Sequence, residues 1–265
     1  MDRWEREEGW VFVFGAPRSG TTLMGHLVGL HERCECLYET NFPIDLFNTF
    51  FPGDGVVELV NQEMPLRIDT IESAPDHTIG EGRQFQSRIM ALIGHGSKFL
   101  KRDSFVVNSD TRSKCIALTQ ACCSAVRRVC QSSSTTMFGD KNPEYCFWWG
   151  LLHELFPKCK MIFIERDREE NAMSMIRCGF NDSGVIFDMP RALAEVERYN
   201  AALSGSEWLR IHKVTLEDLE ADPPAVIYSM VEYLELDPSE YPINRGIDVV
   251  RNGSLNRSRP APHRR

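Results

Sequence analysis

The chain has 265 residues, 42% of them hydrophobic, with a formal net charge of −8 and a pI near 5.5. That size and apolar content suit a single α/β domain over residues 1–265 with a full core. The acidic balance argues against a general nucleic-acid or anionic-membrane surface, so any anion site must be basic locally.

Trp10 to Phe14 is a continuous apolar run and predicts a parallel strand buried on both faces. It breaks into Gly15-Ala16-Pro17-Arg18-Ser19-Gly20-Thr21-Thr22, after which Leu23, Leu27 and Leu30 recur at helical spacing. Cys36 to Tyr38 reads as the end of a second strand. Residues 42–82 read as irregular, a stretch of short helices and loops punctuated by Pro43, Pro52, Gly53, Gly55, Pro65 and Pro75. Residues 83–95 look helical. Residues 111–131 predict an amphipathic helix with Cys115, Leu118, Cys122, Ala125 and Val129 on its apolar stripe. Met137 to Pro143 is a short strand ending in a polar turn, and Pro143 opens an aromatic-rich helix. Lys160 to Glu165 is another buried strand, and 168–177 and 190–203 are helices. A strand follows over 208–214, and Asp222 caps a last helix opened by Pro223. Strands alternating with helices predict an α/β fold: a mostly parallel sheet with helices on both faces. Ligands of such sheets bind beyond the carboxyl ends of the strands. The polar clusters at 15–22, 39, 140–142 and 166–167 follow apolar strands and are expected to converge on that edge.

The stretch from Trp10 to His31 has the make-up of an anion site. A helix N-terminus offers unpaired N–H groups and partial positive charge, and glycines let backbone close round a phosphate-like group. Arg18 adds a cation; Ser19, Thr21 and Thr22 add hydroxyls. Gly15 and Gly20 have the spacing of a nucleotide-triphosphate loop, but Thr21 stands where that motif has lysine. There are nine cysteines, without a disulfide-framework spacing, which suits a reducing cytoplasm. His31, Cys34 and Cys36 lack a second ligand pair and read as core side chains rather than a metal site. The N-terminal stretch is charged and has no apolar signal region, and no apolar run is long enough for a membrane span. The C-terminal stretch is locally basic, with Arg245, Arg251, Arg257, Arg259, Arg264 and Arg265 against Asp248.

The segment Pro17-Arg18-Ser19-Gly20-Thr21-Thr22 after a buried strand resembles the 5′-phosphosulfate loop of sulfotransferases, which use 3′-phosphoadenosine 5′-phosphosulfate (PAPS) as donor. The likeness is greatest to tyrosylprotein-type and related bacterial sulfotransferases and is weakest over 43–135. It implies a three-layer, P-loop-like fold with 43–110 as acceptor-side insertions. It also implies that Arg18, Ser19, Gly20, Thr21 and Thr22 bind the 5′-phosphosulfate. Arg166 and Ser174 match the pair that holds the 3′-phosphate; a strand-end salt bridge with Asp167 or Glu170 is the plain alternative for Arg166. Gly139-Asp140-Lys141-Asn142-Pro143 resembles the segment bearing a lysine near the transferred group, against a solvated turn lysine. Cys36-Leu37-Tyr38-Glu39-Thr40 resembles the segment bearing the catalytic carboxylate, which makes Glu39 the base, against a surface glutamate.

Gly253-Ser254-Leu255-Asn256-Arg257 resembles the family's last loop, which implies that Asn256 and Arg257 close on the nucleotide and that Ser254 is a catalytic residue holding the donor together with Lys141. Ser258 stands where a tryptophan is common, and Leu216 where a tyrosine often meets the adenine; Leu216 is expected to pack against the base instead. The resemblance implies a cytoplasmic enzyme that moves a sulfuryl group to a hydroxyl, or less favourably an amine, and releases adenosine 3′,5′-bisphosphate, with no metal. The expected acceptor is a small metabolite, aromatic or cationic given Tyr145 to Trp149; a peptide tyrosine is the second acceptor class. Neither nucleic acid nor membrane is an expected partner. The competing readings are an ATP-dependent small-molecule kinase, which the missing loop lysine opposes, and a non-catalytic nucleotide-binding protein.

Overall fold

The computed structural model describes residues 9–50, 109–131, 134–178, 188–204, 206 and 209–257. The irregular stretch expected beyond residue 50 and the helix expected over 83–95 lie outside them. The chain forms two compact units, Met1–Glu39 with Ser132–Arg265, and Thr40–Gln131.

The first unit is built on a parallel five-stranded sheet of order β2-β3-β1-β4-β5. Its strands are β1 (Gly9–Phe14), β2 (Cys34–Tyr38), β3 (Met137–Lys141), β4 (Lys160–Glu165) and β5 (Ile211–Thr215). The helices of this unit are α1 (Thr21–Gly29), α4 (Trp149–Leu155), α5 (Arg168–Arg177), α6 (Met189–Ala201), α7 (Leu216–Ala221), α8 (Pro223–Tyr233) and α9 (Ile243–Arg257). The intervening numbers, α2 (Phe42–Phe50) and α3 (Ser109–Cys130), belong to the second unit.

β1 is central and shielded on both faces, which is why its sequence does not alternate; Val11 to Phe14 are each 0% exposed. Full burial of one such side chain is worth about 1.5–3 kcal/mol. On one face Val11, Val13, Ile162, Ile164 and Val214 join Met24, Leu27 and Val28 of α1 and the apolar sides of α7, α8 and α9. The other face is aromatic. Trp10 stacks on Phe156 at 4.4 Å, and Phe12 meets Tyr145 edge-on at 5.4 Å. Three layers result, as the alternation of strands and helices predicts. Buried hydroxyls tie the layers together. The Met161 amide donates to Tyr233 Oη at 2.9 Å, Tyr233 donates to the Arg210 carbonyl at 2.7 Å, and Tyr241 donates to the Leu27 carbonyl at 2.9 Å.

Gly139 is required by close approach. It pairs with Val11, and a Cβ there would lie 1.9 Å from the Val11 carbonyl oxygen and 2.6 Å from Val11 Cγ1. Overpacking costs about 1–3 kcal/mol where side chains can yield. Here the central backbone would have to move, so Gly139→Ala is expected to reach the top of that range. At ~2–4 °C per kcal/mol, its thermal midpoint should fall by roughly 6–12 °C. A variant melting within about 2 °C of the parent would contradict this packing.

Phe42–Phe50 is one of the short helices expected in the irregular stretch, with Pro43 in its first turn, where a missing N–H costs nothing. Other expectations change. The buried stripe of α3 is Cys115, Thr119, Cys123 and Val126, and Leu118 is 43% exposed. The apolar residues offered more than one helical stripe. Thr119 can be buried because its hydroxyl donates to the Cys115 carbonyl at 2.8 Å. The segment expected as a C-terminal loop, 253–257, is the last part of α9; Val250 packs in the core, and Gly253 does not stop the helix. Among the described residues, no helix is long and apolar enough to cross a membrane.

Candidate active site

Because every strand is parallel, the carboxyl ends of β1, β2, β3 and β4 share one edge. At β1 the chain turns through Gly15 to Gly20 and enters α1. A Cβ on Gly15 would lie 2.0 Å from the Ile164 carbonyl, so only glycine lets the loop cross β4 this closely. Gly20 has φ 107°, in the region that favours glycine, and its backbone rests on Leu216 and Ile164. Arg18 adopts φ 69°, costing about 1–3 kcal/mol for a residue with a side chain, and is exposed. Among the described residues it forms no ion pair.

Ser19 is 0% exposed, and among the described residues its Oγ has no hydrogen-bond partner. Buried hydroxyls are ordinarily satisfied, so this one marks a place for a ligand acceptor atom. Thr21 is buried and Thr22 exposed at the start of α1, whose first-turn amides have no acceptor within the helix. Residues 15–22 include no acid. A cation, an orphaned hydroxyl and free amides together suit a phosphate or sulfate group.

Lys141 ends β3, beside the strand that feeds this loop, and is 2% exposed. Its stem runs under Gly25 of α1, where a Cβ would come within 3.0 Å of Lys141 Cβ. Its Nζ donates to Glu39 Oε1 and lies 5.9 Å from the Tyr38 ring centre. Glu39 follows β2 with φ 52°; its amide donates to the Lys141 carbonyl at 2.6 Å, and its side chain is 59% exposed. Asp140, the neighbour of Lys141 in sequence, points to the opposite face and accepts from Tyr145 Oη at 2.7 Å.

At β4, Arg166 donates to Glu170 Oε2 at 3.1 Å, the salt bridge named as its plain alternative. Its side chain is 14% exposed. Ser174 is half-buried on α5. Leu216 is 2% exposed, and its side chain lies against Gly20 of the loop. The side chains of Ser254, Asn256 and Arg257 lie outside the described residues.

One cluster escapes the sequence reading. Glu144, just beyond Lys141, accepts a hydrogen bond from Tyr199 Oη on α6 at 2.6 Å. Arg198 lies over the rings of Phe147 and Tyr199 at 4.4 and 5.0 Å and binds Glu195 through two bonds of 2.9 and 2.7 Å. Nothing local in the sequence announces a partnership spanning 55 residues. Burial raises the Glu144 carboxyl above its usual range; Tyr199 and Arg198 oppose the shift, and Glu195 and Glu39 add to it.

A carboxyl raised on folding contributes stability that is full below its unfolded value and lost as pH rises through its folded value. Glu144→Gln carries no such proton. The thermal midpoint of the wild type should therefore fall relative to Glu144→Gln as pH rises above the ordinary glutamate range. A wild type that gains on the variant as pH rises through that region would refute the assignment.

Residues 11–240 match the family model described as "Sulfotransferase family". Among solved structures, the fold is similar to the sulfotransferase domain of the Synechococcus PCC 7002 olefin synthase. The identity is 18%, the coverage 89% of this chain and 78% of that one, and the TM-score 0.51. It is also similar to the sulfotransferase domain from the curacin biosynthetic pathway, at 17% identity, 89% and 77% coverage and a TM-score of 0.50. No curated protein matches the chain by sequence. With the family match spanning nearly the whole sheet and its helices, this chain belongs to the sulfotransferase family.

Proposed function

We propose that the chain is a PAPS-dependent sulfotransferase acting on the hydroxyl of a small-molecule acceptor, and that residues 1–265 work as one sulfotransferase domain. The observation that carries this reading is the Lys141–Glu39 pair beside the Gly15–Gly20 loop. It puts a buried cation and a partly exposed carboxylate next to a ready anion site.

When bound, PAPS would supply the sulfuryl group: the acceptor O–S bond forms as the S–O bond to the 5′-phosphate breaks, leaving adenosine 3′,5′-bisphosphate. Arg18, the Ser19 hydroxyl, Thr21, Thr22 and the first amides of α1 bind the 5′-phosphosulfate. Arg166, released from Glu170, and Ser174 hold the 3′-phosphate through a planar fork and a hydroxyl. The Glu39 carboxylate takes the acceptor's hydroxyl proton. The Lys141 ammonium turns from Glu39 towards the negative charge that develops as transfer proceeds. Ser254, Asn256 and Arg257 are assigned to the nucleotide by their motif.

Calorimetry with PAPS and adenosine 3′,5′-bisphosphate tests the donor assignment. A charge-assisted hydrogen bond is worth about 1.5–3 kcal/mol, so Arg18→Ala should weaken PAPS binding by about ten- to a hundredfold. Arg166→Ala should narrow the preference for PAPS over adenosine 5′-phosphosulfate, which lacks the 3′-phosphate. Unchanged PAPS affinity in folded Arg18→Ala, or equal losses for both nucleotides in Arg166→Ala, would overturn the respective role.

A further inference from the structure

We propose that Glu144 determines acceptor specificity, selecting acceptors that carry a protonated amine near the hydroxyl to be sulfated. This rests on the sulfotransferase reading above and names the substrate class of that same site.

The carboxylate is held in place from both ends. Pro143 fixes the preceding backbone, and the Glu144 amide donates to Asn142 Oδ1 at 3.0 Å. At the far end Oε1 accepts from Tyr199 Oη, and Tyr199 is 1% exposed, its ring 4.8 Å from that of Phe147. Tyr199 engages one oxygen, and among the described residues Oε2 accepts no hydrogen bond. Among the described residues Glu144 forms no ion pair. Arg198, the cation of this cluster, is already held by both oxygens of Glu195 and covers the Phe147 ring.

Glu144 is drawn partly out of water, and the Arg198 guanidinium, bound to Glu195, offsets only part of the cost of keeping it charged, so its carboxyl is held above the usual range. Glu144 stands just beyond Lys141, at the strand edge where ligands of parallel sheets bind. It is also close enough to Glu39 for the two carboxylates to repel. A ligand ammonium would answer both penalties, through a charge-assisted hydrogen bond and by screening one carboxylate from the other. An organic cation needs a single carboxylate. A metal ion needs several ligands, and among the described residues no such group converges. An acceptor spanning the two carboxylates gives its ammonium to Glu144 and its hydroxyl to Glu39.

The test compares tyramine with 4-ethylphenol, a phenol of similar size without the amine, as acceptors for labelled PAPS with the full chain. Tyramine is expected to show a kcat/KM at least about tenfold above that of 4-ethylphenol. Glu144→Gln should collapse this ratio towards unity through KM for tyramine, with affinity for adenosine 3′,5′-bisphosphate held at the wild-type value. Tyr199→Phe should reduce the ratio in part, by releasing the carboxylate. Equal use of the two phenols, a ratio that survives Glu144→Gln, or tyramine neither sulfated nor bound by the nucleotide-loaded protein would overturn the proposal. A wild-type protein that bound no adenosine 3′,5′-bisphosphate would overturn the sulfotransferase donor assignment instead, and this inference with it.

Discussion

Glu39→Gln is expected to lower single-turnover sulfuryl transfer by about a hundred- to ten-thousandfold, the usual span for a general base, with PAPS affinity kept close to wild type. Glutamine preserves the length of the side chain, and its carbonyl oxygen can still accept from Lys141 Nζ. The loss therefore reports the missing proton acceptor rather than a collapsed site. The left-handed backbone at Glu39 is not disturbed, since the substitution changes only the end of the side chain. The measurement is transfer from labelled PAPS at saturating donor, with any acceptor that supports turnover. Rates within about threefold of wild type would move the base to another residue, because a general base contributes far more than that.

Lys141→Met is the second large expectation, with a loss of about a hundred- to a thousandfold in turnover, the range seen when a preorganised charge-stabilising donor is removed. Methionine is chosen because the Lys141 stem fills a narrow slot under Gly25. A truncation to alanine would add a packing defect to the loss of charge. Glu39, 59% exposed, would lose its partner but keep its water, so its unpaired charge costs little stability. If the ammonium and the carboxylate act as one unit, the double variant should be far less impaired than the product of the two single losses. Multiplying losses would show that the two side chains serve independent steps. Full turnover in Lys141→Met would remove the lysine from the reaction.

The strand–loop–α1 segment was legible because its signals are local. An unbroken apolar run, glycines where backbone must approach backbone or turn, and a helical stripe sit within about twenty residues of one another, roughly the compass of one strand–turn–helix unit. That Glu39 and Lys141 share an edge was legible from the strand pattern, but their direct pairing was not, since nothing near residue 39 refers to residue 141. The Arg166–Glu170 bond was available from spacing alone, as an i, i+4 pair on a helix entry. Other features were not readable. The apolar residues of α3 fit more than one stripe, and only its packing partner chose between them. The packing of Leu216 against Gly20 joins positions about two hundred residues apart, and no local pattern announces it. Residues 253–257 carry loop-like composition but continue a helix whose Val250 is anchored in the core.

By itself, the sequence determined the alternation of strands and helices, the parallel sheet, and the glycine-bounded turn into α1 that carries Arg18 and no loop lysine. These follow from periodicity, glycine placement and charge over short stretches of chain. Tertiary structure alone decided the strand order β2-β3-β1-β4-β5, and with it which ends become neighbours. That order sets β2 against β3 across about a hundred residues of sequence and so brings Glu39 to Lys141. It also decided that Tyr199 of α6 reaches Glu144. Such long-range pairs form because burial of whole faces fixes where elements pack, and polar partners then meet wherever that packing places them.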